Sequence, residues 1–143
     1  MITRETDYAI RLLRGLTDQE IHTTAELTES EMVPHAFAYK ILKKLSGAGY
    51  VQILRGAEGG YRLAVDLDDV TLYDLMIVMG DSCAITHCMN GGYECPWRKQ
   101  HQDCVVHRRL AGIQSVVNQG LKAYTLKGLL GEADREGETV PSG

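Results

Sequence analysis

The stretch YVQILRGAEGGYRLAV, residues 50–65, limits the possible folds more than any other part of the chain. Two β-prone runs, YVQILR and YRLAV, flank the Gly-rich GAEGG, and a connection of that length and composition reads as a hairpin. Helical patterns precede it. Tyr8, Ala9, Leu12, Leu13 and Leu16 fall on one face of a helix expected over about residues 3–17. Thr24 fits the N-cap of a short second helix, with Ala25 and Leu27 available for packing. VPHAFAYKILKKLSGAGY then opens with Pro34 in a first turn, sets Phe37, Ile41, Leu42 and Leu45 on one face, and stops at Gly47 and Gly49.

Three helices followed by a two-stranded hairpin is the order of a winged helix-turn-helix. After the hairpin, the acidic DLDD leads into TLYDLMIVM, a short helix over 71–79 that is apolar over most of its surface. Further on, Val106, Leu110, Ile113, Val117, Leu121 and Tyr124 recur at spacings of three and four, a stripe able to lie against another helix along its whole length. The expected fold is therefore mainly α with a small β-hairpin. A winged helix-turn-helix domain is expected over 1–65 and dimerisation helices over 66–131, with a cysteine loop at 81–107. The last residues, EADREGETVPSG (132–143), have the composition of a disordered tail.

The net charge of -4 gives no general reason to propose binding to nucleic acid or a membrane surface. The distribution does. Between Val33 and Arg62 lie Lys40, Lys43, Lys44, Arg55 and Arg62 against Glu58 alone, a cationic island in an acidic chain. Lysines at these spacings also describe the solvated face of an amphipathic helix. The hairpin weighs against that simpler account: Gly59 and Gly60 let its backbone approach a duplex closely, and Arg55 and Arg62 flank the turn where an arginine can enter a narrow minor groove. No nucleophile and base pair up, and no phosphate-cradling loop sits at a strand-helix junction, so an enzyme is not expected.

All four cysteines lie in SCAITHCMNGGYECPWRKQHQDCVVH, as C-x4-C-x6-C-x8-C with His107 just beyond the last. The chain has neither an export-type apolar run at its start nor a stretch long enough to span a membrane, so a cytoplasmic location is expected. There, structural disulfides are disfavoured and metal or redox chemistry accounts better for the thiols. Zinc usually requires tight C-x2-C knuckles, and none is present. An iron-sulfur cluster accepts looser loops, with Gly91 and Gly92 allowing close backbone approach. Zinc and a thiol-disulfide switch remain alternatives. Trp97 is expected to anchor the loop by packing, and His87 and His101 to be exposed.

The run LKKLSGAGYVQILRGAEGGYRLA, then VTLYDLM, the clustered cysteines and the closing YTLKGLL resemble the IscR/NsrR family of iron-sulfur transcriptional regulators over nearly the whole chain. The resemblance implies a homodimer that binds a palindromic double-stranded operator and holds a 2Fe-2S or 4Fe-4S cluster in the loop before a long dimerisation helix. The signal would be nitric oxide, oxygen or redox state, or iron-sulfur status. By the same resemblance Pro34, His35, Ala36, Phe37 and Lys40 face the major groove, Lys44 belongs to the same helix, and Arg55 is the wing arginine. Cys104, 21 residues before Thr125, matches the family's last cysteine, and Cys88 and Cys95 take the other two places. Three residues compete for the fourth ligand: His107, as in the IscR branch; Asp7, as in the NsrR branch; and the extra Cys83. Asp7 can equally pair with Arg11 one turn on, and His107 can be a surface residue of a helix's first turn. Two features depart from the family: Glu58 in the turn, and x6 and x8 gaps longer than its near-equal ones, which leave open a set of Cys83, Cys88 and Cys95 with Cys104 stranded at the head of the long helix.

Overall fold

A computed structural model describes residues 1–131; the tail expected over 132–143 lies outside the described residues. Helix α1 (Arg4–Gly15) begins where Thr3 accepts a hydrogen bond from the Thr6 amide and ends two residues short of the expected limit. Its 3.6-residue spacing buries Ala9, Leu12, Leu13 and Leu16 completely. Helix α2 (Thr24–Glu31) is capped by Thr23, not Thr24, because it is the Thr23 side chain that accepts from the Glu26 amide. Thr24 is instead the first helical residue and is buried, and Leu27 packs while Ala25 stays exposed. Helix α3 (His35–Gly47) follows Pro34, which occupies the cap position itself. Its buried face is Ala38, Ile41, Leu42 and Leu45.

Strands β1 (Val51–Leu54) and β2 (Gly60–Leu63) pair antiparallel, with Val51 opposite Leu63 and Leu54 opposite Gly60. A side chain at Gly60 would bring its Cβ to 2.4 Å from the His22 carbonyl oxygen. That close approach lets His22 and Tyr61 exchange backbone hydrogen bonds of 2.9 and 2.8 Å, which fasten the hairpin to the segment before α2. Helix α4 (Leu72–Met79) starts in a capping box between Thr71 and Asp74 and ends at Gly80 with positive φ.

Between α4 and the long helix, the chain makes a single 3-10 turn (His87–Met89) and a short helix α5 (Pro96–His101). Helix α6 (Val105–Ala123) has no fully buried residue. The chain then returns: Thr71 bridges Thr125, and α7 (Leu126–Leu130) drives Leu126 into the core. One hydrophobic cluster joins α1, α2, α3, β1 and β2 to Leu75, Met79 and Leu126, so a single core spans both sides of the boundary expected at residue 65.

Candidate nucleic-acid interface and cysteine loop

Helix α3 has two polar flanks, and they differ in chemistry. On one, Glu5 of α1 lies 2.7 Å from Lys40 Nζ and 3.1 Å from Lys44 Nζ, and Lys44 also donates to the Met79 carbonyl at 3.1 Å. Hydrogen bonds from Lys40 and then Lys44 hold the Glu5 carboxyl below its ordinary pKa. Phe37 turns inward, edge-on to Tyr8 with ring centroids 5.3 Å apart, and packs against the core. Phe37 and Lys44 are thus bound up in joining α3 to its neighbours. On the outward flank His35 stacks on Tyr39 at 5.1 Å, with Ala36 and Lys43 exposed nearby.

His35 and Tyr39 line a cleft whose other wall is the hairpin, with Ile53, Gly60 and Tyr61, and whose floor includes Thr23 and Thr24. Pro34 and Arg55 are exposed, whereas Arg62 is half-buried and donates to the Gln52 side chain at 3.1 Å. Gly59 lies so close to the Leu54 carbonyl, 2.2 Å from a built Cβ, that the turn admits no side chain there. Tyr39 and Ile53 did not stand out in the sequence as site residues. The i, i+4 spacing of His35 and Tyr39 carried the signal for one; Ile53 was hidden because its exposure depends on the open side of the hairpin.

The cysteine loop is held at its ends. At the entry, Asp81 accepts from the Thr3 amide at 3.0 Å, the Thr3 hydroxyl at 2.8 Å and the Thr6 hydroxyl at 2.5 Å. Burial raises the pKa of that carboxyl, but the bonds from Thr6 and Thr3 outweigh it and the net shift is downward. Gln114 of α6 accepts from the Ile85 amide at 2.7 Å and donates to the Cys83 carbonyl at 2.8 Å. Burial pushes the Cys83 thiol up. At the exit, Cys104 caps α6: its sulfur accepts from the His107 amide at 3.3 Å, the role a serine or threonine oxygen usually fills. His107 Nδ1 is buried without a hydrogen-bond partner, while Arg98 Nη1 stands 3.5 Å from Nε2.

Between these ends the 3-10 turn packs against α6, with Met89 beside Ala111 and Ser115, Ser82 donates to the Asn90 side chain, Arg98 approaches His107 and Asp103 pairs with Arg108; the other side-chain bonds here are short-range. Trp97 does not anchor the loop by packing: it is 51% exposed and stacks on His101 at 4.2 Å, because α5 lies on the surface and offers no core to enter. His87 and His101 are exposed. All four cysteines are free and partly accessible. Among the described residues no three histidine, cysteine or carboxylate side chains converge where a metal ion could sit. Asp7 is engaged by Arg11 at 3.1 Å. In chemistry the donors suit thiolate-ligated iron, with four thiols on one loop and an imidazole nitrogen left unpartnered beside Cys104.

A winged helix-turn-helix carrying a thiol-rich loop ahead of a long, partly uncovered helix defines a class of transcriptional regulator. The profile of the Rrf2 family, described as "Iron-dependent Transcriptional regulator", matches residues 2–132, and the chain belongs to that family. Protein aau3 of Rhizobium meliloti (strain 1021) is 30% identical over 132 residues, 90% of this chain and 84% of that protein. The HTH-type transcriptional regulator NsrR of Bacillus subtilis (strain 168) is 26% identical, covering 86% of this chain and 80% of its own length. The solved structure of T. potens IscR superimposes with a TM-score of 0.70 at 17% identity, over 98% of this chain and 93% of that one, a likeness of fold. The family is one of regulators and not of enzymes. No helix among the described residues is long and apolar enough to cross a membrane.

Proposed function

We propose that the chain is a homodimeric, cytoplasmic transcriptional regulator whose affinity for a palindromic operator is set by an iron-sulfur cluster in the 81–107 loop. The observation that carries this reading is the unpartnered, buried Nδ1 of His107 one helical turn from the Cys104 sulfur, on a loop with three more free thiols. An imidazole nitrogen is seldom buried without a proton partner or a ligand. His107 is therefore favoured for the fourth place over Asp7, whose carboxylate Arg11 already engages, and over Cys83, whose backbone carbonyl is bound to Gln114. Cys88, Cys95 and Cys104 supply the thiolates.

When bound, the cluster supplies a centre whose nitrogen-ligated corner is more open to nitric oxide, oxygen or iron loss than an all-thiolate shell. Cys88 and Cys95 must draw toward His107 for that, and Arg98 must leave Nε2, because a donor-only guanidinium there obliges Nδ1 to carry the ring proton. On the DNA side, His35, Ala36 and Tyr39 form the outward flank of the recognition helix, Pro34 and Lys40 flank it, and Arg55 reaches from the hairpin toward the backbone or minor groove. Residues 1–65 read DNA and 66–131 sense and dimerise, across one shared core.

Anaerobic purification followed by an absorption spectrum and iron, sulfide and zinc analysis tests the cofactor. The expected product is coloured and contains iron with acid-labile sulfide. A colourless protein loaded with zinc, or one that only forms disulfides on oxidation, would replace the reading with the zinc or thiol-switch alternative. Arg55→Ala is expected to weaken binding to an in vitro selected operator by about tenfold, on the order of one to two lost charged contacts; an unchanged gel-shift titration would remove the hairpin from the interface.

A further inference from the structure

We infer that Gln114 is a positioning residue: its carboxamide latches the loop entry onto the middle of α6 and relays the state of the loop to that helix. The inference rests on the loop being the sensing element. Gln114 Oε1 accepts from Ile85 N at 2.7 Å and Nε2 donates to the Cys83 carbonyl at 2.8 Å and to Asn118 Oδ1 at 2.9 Å. The side chain thus pairs with the backbone of residues 83 and 85 as a neighbouring strand would, and all three bonds are part-buried. The orientation is unique, because a flipped amide would set its NH2 against the Ile85 N–H and its oxygen against the Cys83 oxygen.

Its significance comes from what holds the same segment on its other side. Asp81, two residues before Cys83, binds the start of α1 through Thr3 and Thr6. Residues 81–85 therefore form a strap fixed at one end to the winged domain and at the other to α6. The two fastenings differ in kind: one is a carboxylate on hydroxyl and amide donors, the other a neutral amide on backbone. Any rearrangement of the thiols that pulls on Cys83 or Cys88 acts on this strap first. Gln114 converts that pull into a displacement of α6 relative to α1, which is the motion that resets the spacing of two recognition helices in a dimer.

The test uses the full chain, with Gln114→Ala and Gln114→Glu. Glutamate keeps the acceptor for Ile85 and loses both donors. In reduced, metal-free protein, hydrogen exchange at the Ile85 amide is expected to speed up about tenfold in the alanine variant and little in the glutamate variant. The ratio of operator affinities between anaerobically reconstituted and metal-free protein is expected to fall toward one in both variants, with iron and sulfide content as in the wild type. Unchanged Ile85 exchange in Gln114→Ala overturns the latch. Faster exchange with a wild-type affinity ratio overturns the relay. A wild-type ratio of one contradicts the sensing function and the relay with it, and Ile85 exchange then still decides the latch by itself.

Discussion

His22 has a carboxylate at each ring nitrogen: Asp18 lies 2.7 Å from Nε2 and Glu26 lies 3.1 Å from Nδ1. A neutral imidazole has one N–H, so one contact would set a lone pair against a carboxylate; the imidazolium satisfies both. The Asp18 hydrogen bond raises the His22 pKa above its ordinary value, partly opposed by burial and reinforced by Glu26. A raised folded-state pKa stabilises the fold fully below the unfolded value of about 6.5, and that contribution is lost as pH rises through the higher folded value. Because the His22 backbone also pins the hairpin through Tyr61, the loss falls on the wing. Wild-type protein is therefore expected to lose about 1 kcal/mol or less as pH rises above about 6.5 that His22→Gln does not lose, measured by thermal denaturation from mildly acidic to alkaline pH. Parallel curves for the two proteins would remove His22 from this role.

At the scale of elements, polar joints supplement the hydrophobic cluster that packs the helices together. Asp81 takes three hydrogen bonds from Thr3 and Thr6 and so ties the end of α4 to the start of α1, while Lys44 and Glu5 tie α3 to both. Asp81→Ala leaves the Thr6 hydroxyl of a buried residue without its acceptor, and urea denaturation is expected to show a loss of about 1–3 kcal/mol. A loss below about 0.5 kcal/mol would mean the clamp is dispensable. Such joints were not legible in the sequence. The faces of α1 and α3 were, because period alone sorts Leu12, Leu13, Leu42 and Leu45 inward, and the Gly-rich turn announced the hairpin. The partners of Asp81 and Lys44 lie 75 or more and 35 or more residues away, beyond any local pattern. Phe37 was on the apolar face by its period, but its edge-on contact with Tyr8, and the bonds of Lys44 to Glu5 and the Met79 carbonyl, depend on tertiary packing. Helix α5 was missed although Pro96 at its first turn marked it.

For the whole molecule, the stripe expected along α6 divides. Leu110, Val117 and Leu121 are half-covered, on a helix that packs against α4 and the 3-10 turn, while Val106, Ile113 and Tyr124 stay exposed, as does Val116. An exposed apolar row on a 19-residue helix suits pairing with a second copy, the arrangement the proposed operator symmetry needs. Ile113→Lys is expected to convert dimer to monomer in light scattering after size exclusion, with helical content unchanged; a dimer of undiminished stability would place the interface elsewhere. The loop entry is fixed between α1 and α6, so in the proposed dimer it links the α6 surface to α3 through the core.

The most direct measurement of the account is a fluorescence-anisotropy titration of one selected operator with the same anaerobic preparation, before and after removal of iron. The expected result is a change in Kd of about fivefold to a hundredfold, the span of a 1–3 kcal/mol coupling, that reverses on reconstitution and disappears in His107→Ala. Identical affinities for iron-loaded and iron-free protein would contradict control of DNA binding by the cysteine loop.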